Sequence, residues 1–299
     1  MVEYALYLPQ LRMSFGAIEE RAAAAEELGF HSVWLMDHLA APGLPDADTL
    51  EAWTVATTLA ARTSRIHIGH LVLCDAFRHP ALLAKMAATL DVASGGRLEL
   101  GIGWGSVEPE LRAYGFAPER PAVRAGRMSE TLDILRLMFS GRRFDYEGRY
   151  YHLEQAIGRP VPAQDRLPLH VGGAGARLTL PLVARHADWW NCPSYAVDDL
   201  DALRTQVGGA RVSTQHPVAL APSRSGRDDV IAVARRRFGS WGGLLAGTAD
   251  EVAAALVAEA ARGVELCILQ FSDFAPPETL ARFAADVAPA IRDAAPARR

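Results

Sequence analysis

Gly69-His70-Leu71-Val72-Leu73-Cys74, followed one helix later by Gly101-Ile102-Gly103-Trp104-Gly105, is the clearest structural unit in this chain. Ile66 to Leu73 is apolar and β-branched, Pro80 to Val92 has helical spacing, and Arg97 to Gly103 is apolar again and ends in alternating glycines. Pro80 suits a first helical turn, where its missing N–H would be unpaired anyway, and Gly95-Gly96 supplies a left-handed stop. Two strands joined by one helix lie parallel, so their C-terminal ends share one side of a sheet. Chemistry is expected on that side.

Outward from this unit the pattern repeats. Strands are expected at Tyr4 to Leu8, His31 to Met36, Leu167 to Val171, Ala187 to Cys192, Pro217 to Ala221 and Val264 to Phe271, with helices between them. Asp48 with Glu51 resembles a capping box for the second helix. Phe144 to Tyr151 reads as a hairpin turning at Glu147-Gly148; following a helix and preceding a strand, it is expected on the N-terminal face. Eight strands alternating with eight major helices point to an α/β protein, a (β/α)8 TIM barrel in one domain over residues 1–299. A doubly wound open sheet is the competing architecture, but no G-x-G-x-x-G opens the first helix. Insertions after strands four (Ser106 to Pro121) and seven (Pro222 to Gly247) then fall at the catalytic face.

The 299 residues are half hydrophobic and carry a net charge of −4, with Lys85 the one lysine among 31 basic residues. Positive charge is not in excess, which argues against nucleic-acid binding. No apolar run reaches the roughly twenty residues of a membrane span, and no basic n-region precedes an apolar run, so a soluble cytoplasmic protein without membrane association is expected. Cys74, Cys192 and Cys267 are widely spaced and odd in number, which suits free thiols.

Asp37-His38 closes strand two. A histidine there can exchange a proton near neutral pH or simply pair with its neighbour. Gly172-Gly173-Ala174-Gly175 joins a strand to a helix, where bare amides and the helix dipole suit a phosphate. Gly101, Gly103 and Gly105 would leave a surface flat enough for a planar ring. His67, His70 and His79 match no metal-binding spacing and read as structural; no metal is expected. Glu108 and Glu110, flanking Pro109, read as solvated loop residues. Arg224, Arg227, Arg235, Arg236 and Arg237 form either a solvated face or a clamp for an acidic ligand tail.

Ser32-Val33-Trp34-Leu35-Met36-Asp37-His38, Arg62-Thr63-Ser64-Arg65-Ile66, Phe77-Arg78-His79-Pro80-Ala81, Ser94 to Gly103, Val171-Gly172-Gly173 and Gly247 to Val252 together resemble the bacterial luciferase-like superfamily. More narrowly they resemble its oxidoreductases that use the deazaflavin coenzyme F420. The resemblance implies a (β/α)8 barrel with the cofactor across its C-terminal mouth, a small-molecule substrate and a homodimer. It implies a non-prolyl cis peptide between Leu71 and Val72 behind the cofactor ring. Asp37, Leu71, Val72, Gly103, Gly105, Ser106, Gly172, Gly173, Ala174 and Gly175 are the implied cofactor contacts, and His38 matches a histidine near the reacting carbon. Pro42 and Ser106 stand where the sugar-phosphate dehydrogenases of this branch have tryptophan and glutamate. An FMN-dependent monooxygenase and a non-catalytic flavin-binding barrel are the alternatives.

Overall fold

The computed structural model describes residues 2–117 and 119–294. Eight parallel strands close on themselves: Glu3–Tyr7, Ser32–Leu35, His67–His70, Leu98–Gly103, Leu169–Gly172, Trp189–Cys192, Arg211–Leu220 and Leu266–Phe271, called strands one to eight below. Each pairs with the next, and strand eight pairs with strand one through Tyr4↔Cys267 and Ala5↔Ile268, which closes the barrel and excludes the open sheet. Both strand faces are buried. Leu6, Val33, Leu35 and Leu100 pack outward beneath the helices, while Ala5, Tyr7, Trp34, Trp189 and Ile268 fill the lumen.

The helix ends follow local chemistry. Ser14 caps Phe15–Glu27 by accepting from the Ala17 amide, Pro80 opens Pro80–Ser94, and Gly95 ends that helix at φ 72°. The second helix, Ala52–Arg62, departs from expectation. Its cap is Glu51 itself, whose carboxylate accepts from the Trp53 and Thr54 amides, so Asp48 forms no capping box with it.

Strand seven begins at Arg211, six residues before the apolar run that marks it in the sequence. Ser213 and Gln215 alternate with outward Thr214 and His216, which both meet Glu259 on the following helix, Ala249–Ala261. Polar residues are buried on both sides of this strand, which hides it from a hydrophobicity pattern. The insertion after strand seven adds a helix, Arg227–Phe238, and a short strand, Leu245–Gly247, paired with Val218–Leu220. Between strands six and seven the chain forms a 3-10 segment, Ser194–Asp199, followed by the short helix Leu200–Arg204.

The hairpin Arg143–Glu147/His152–Ile157 forms, but it is not confined to the N-terminal face. Glu130, midway along helix Pro121–Phe139, accepts from the Arg149, Tyr150 and Tyr151 amides. Tyr151 packs edge-on against His79, which caps the helix after strand three at the catalytic end. The pull of Glu130 on three turn amides folds the hairpin along the barrel's outer flank.

Candidate active site

At the C-terminal mouth lies a cleft of about 470 Å³. His38, Asp37, Leu71, Val72, Gly103, Gly105, Ser106, Gly172, Gly173, Ala174 and Gly175 all line it, so residues from the ends of strands two to five converge there.

The Leu71–Val72 peptide is cis, as the resemblance implies. The strand-four glycines make room for this segment, and Gly103 also lines the cleft. A Cβ on Gly101 would lie 1.9 Å from the His70 carbonyl oxygen, and one on Gly103 would lie 2.6 Å from Val72 Cγ2. The bare backbone of strand four therefore lets strand three press close, and Val72 presents its side chain to the cleft.

The Asp37 carboxylate is fully engaged. It accepts from the Cys74 amide at 2.8 Å and from both terminal nitrogens of Arg78, at 2.6 and 3.0 Å. Asp37 thus ties strand two to the end of strand three, and the neighbour pairing suggested for His38 does not occur. His38 instead places Nδ1 2.8 Å from Glu110 Oε2. Because a carboxylate only accepts, Nδ1 is assigned the proton, which leaves the Nε2 lone pair of the neutral ring for the cleft.

Glu110 corrects its reading as a solvated loop residue. It belongs to a short helix, Glu108–Ala113, and is only 9% exposed. Its second oxygen accepts from the amides of Leu39 and Ala40, so one carboxylate holds both the imidazole and the backbone after it. The sequence signal was a carboxylate one helical turn beyond Ser106; its partner lies 72 residues away.

Facing His38, Gly173 takes φ 124°, and a Cβ there would sit 3.1 Å from Thr179 Cγ2. The amides of Gly175, Ala176 and Arg177 make no backbone hydrogen bond among the described residues, just ahead of helix Thr179–His186. Unspent N–H groups at a helix start favour an anion. Trp104, which sequence reading missed, donates from Nε1 to Thr179 Oγ1 at 3.2 Å and so joins strand four to this turn. Leu111, Asn191, Tyr195 and Gln215 also line the cleft and were missed. Cys74 reaches the cleft too, but burial pushes its thiol up to about 12.

The arginines after strand seven do not line the cleft. Arg227 is committed to Glu251 and Asp228, and Arg237 donates to the Ser272 carbonyl. Pro42 is exposed, whereas Ser106 lines the cleft.

The histidines expected to be structural diverge. His79 caps a helix, and His70 is buried and stacked on Trp53. His67 meets His31 and Glu99 at the other end of the barrel, with potential ligand atoms within 4.8 Å of one another. Glu99, however, already accepts from His67 at 2.9 Å and from His170 at 2.7 Å.

Closed parallel strands, with the working groups gathered on loops at their C-terminal ends, define the class as the (β/α)8 barrels. Within that class the chain belongs to the luciferase-like monooxygenase family, whose model matches residues 4–225. An F420-dependent glucose-6-phosphate dehydrogenase of Microbacterium testaceum (strain StLB037) is 37% identical over 175 residues, which is 57% of this chain and 49% of that protein. An F420-dependent hydroxymycolic acid dehydrogenase of Mycobacterium tuberculosis (strain ATCC 25618 / H37Rv) is 29% identical over 203 residues, 67% of this chain and 55% of that protein. The chain spans about half the length of these curated relatives. Among solved structures, an F420-dependent secondary alcohol dehydrogenase in complex with an F420-acetone adduct matches with TM-score 0.81 and 20% identity, covering 98% of this chain and 99% of that one. The monooxygenase RslO1 from Streptomyces bottropensis matches with TM-score 0.78 and 22% identity over 96% and 99%. At these identities the structures share the fold.

Proposed function

We propose that this chain is an oxidoreductase that transfers a hydride between coenzyme F420 and a small organic substrate. The observation that carries the reading is His38 held through Nδ1 by Glu110, its Nε2 left for the cleft across from the bare glycine turn. The named activities of the curated relatives support the coenzyme. The residues present fit it: the amides of Gly175 to Arg177 suit its phosphate, and Leu71 and Val72 offer an apolar backing for a ring. When bound, F420 supplies the hydride acceptor or donor. His38 Nε2 takes the proton of a substrate hydroxyl as its carbon is oxidised, and returns it in the reverse direction. Glu110 keeps the ring in the tautomer that can do so and stabilises the imidazolium that forms.

FMN-dependent monooxygenation is the second reading, favoured by the same turn, which suits the phosphate of either cofactor. Equilibrium titration of cofactor-free protein separates them. Binding of F420 in preference to FMN is the expected outcome. Preference for FMN, with oxygen-dependent product formation, would put monooxygenation first, and binding of neither would leave a non-catalytic barrel.

A homodimer and a cytoplasmic location complete the proposal. Leu82, Val92, Ile157 and Val161 expose apolar area around the place where Lys85 donates to the Arg159 carbonyl, a face suited to a second copy. The three free cysteines suit a reducing compartment. No described helix is long and apolar enough to cross a membrane. Light scattering at micromolar protein is expected to return twice the chain mass.

A further inference from the structure

Among the described residues, the lining of the cleft holds two carboxylates at its His38 end and no lysine or arginine. From this we propose that the substrate is a small uncharged alcohol or carbonyl compound, and not a phosphate ester. The inference rests on the F420 reading and narrows it. Among the described residues lining the cleft there is neither lysine nor arginine. Two carboxylates, Asp37 and Glu110, are buried at this end.

The guanidinium beside them is already taken. Arg78 gives both terminal nitrogens to Asp37 and one of them also to Glu51. Arg124 retains unpartnered Nε and Nη1 atoms, but it stacks on the indole of Trp104 and bonds Glu108, outside the lining. Trp104 is in turn bonded to Thr179 behind the glycine turn, where the coenzyme's own phosphate is proposed to sit, and Arg124 is assigned to that phosphate on the strength of this link through Trp104.

A phosphate dianion at His38 would lose its water shell beside the Glu110 carboxylate, and with Arg78 spent on Asp37 it would find no cation in the lining in return. A desolvated, unpaired charge is among the most unfavourable arrangements a protein site can hold. The other groups available are neutral. Leu71, Val72 and Leu111 offer apolar walls, while Asn191 and Gln215 present amides. Gln215 lines the cleft, where its side-chain amide can meet a hydroxyl or a carbonyl. The step balances with such a substrate: the carbinol carbon passes its hydride to F420, the O–H proton goes to His38 Nε2, and the C–O bond becomes C=O. This separates the chain from the relatives named for glucose 6-phosphate.

The experiment uses matched pairs, each an alcohol and its phosphate ester: glucose with glucose 6-phosphate, and propane-1,2-diol with its 1-phosphate. F420 binding is first measured alone by fluorescence titration, so failure of the coenzyme reading is seen separately. The coenzyme-loaded protein is then given each pair, with turnover followed by F420 absorbance and binding by tryptophan fluorescence. The uncharged member is expected to lead in kcat/KM by about a hundredfold, the scale set by an unpaired buried charge. Leu111→Lys, which adds a cation to the wall, is expected to narrow that gap by about tenfold, as partial neutralisation of the ester allows. Preference for the ester in either readout overturns the proposal. So does the absence of binding and turnover for both members of every pair, and so does a Leu111→Lys protein whose preference is unmoved while it still binds F420.

Discussion

The two ends of the barrel use the same pair of side chains to opposite effect. At the C-terminal mouth, Glu110 engages one nitrogen of His38 and leaves the other for the cleft. At the N-terminal end, Glu99 spends one oxygen on His67 and the other on His170, which is fully buried. These two imidazoles hold the Glu99 carboxyl down at about 2 despite the burial that opposes ionisation. A histidine–carboxylate pair is therefore not in itself a sign of catalysis. What separates the two is space: His170 Nδ1 also lacks a partner but is buried, whereas His38 lines the cleft.

The sharpest way to break this comparison is His38→Ala. Turnover is expected to fall about 10²- to 10⁴-fold, the range for loss of a general acid–base, with F420 affinity little changed. Steady-state rates and a coenzyme titration on the same preparation check it; unchanged turnover would place both pairs in the structural class.

Glu99→Gln comes next and reads out in stability. Removing one partner from a buried ionic cluster is expected to cost about 3 kcal/mol, seen as a lower denaturant midpoint. A carboxyl held below its ordinary value contributes stability at pH above that value, and the contribution is lost as pH falls toward about 2. Acid titration of the wild type is therefore expected to show a loss of stability below the ordinary carboxylate range that Glu99→Gln lacks.

Glu110→Gln is expected to lower kcat about 10- to 100-fold, as for other residues that orient a functional histidine. An amide keeps a single accepting oxygen where Glu110 uses one for His38 Nδ1–H and the other for the Leu39 amide, so one of the two contacts is lost while the fold of the cleft is kept, and KM is expected to move less than kcat. A fall in stability without a fall in kcat would move Glu110 to the structural side.

The smallest effect is expected from Gly173→Ala. Its φ of 124° is unfavourable for alanine, and the new methyl would press on Thr179 at 3.1 Å. About 1 kcal/mol, read mainly as weaker coenzyme binding, is the scale of such a change.

Much of the mouth was legible because its signals are local. Gly172 to Gly175 sits between a strand and a helix, and Asp37-His38 closes an apolar run, so a few neighbouring residues sufficed to place them. Glu110 was misread because its surroundings in sequence, a proline and a second glutamate, look like solvated loop; only the helix Glu108–Ala113 folding over the end of strand two buries it. Strand seven was cut short for a related reason. Its first half is polar, and the groups that satisfy Thr214 and His216 come from Glu259, more than forty residues later.

The sequence alone determined the alternation of strands and helices, the helix start at Pro80 and stop at Gly95, and the glycines at the strand ends, because these depend on periodicity and backbone sterics within a few residues. Tertiary structure alone decided which carboxylate holds His38, which arginine is consumed by Asp37, and which histidine faces the cleft. Those outcomes depend on distances between groups far apart in the chain, and a hydrogen bond or an ion pair exists only once the closed barrel has set those distances.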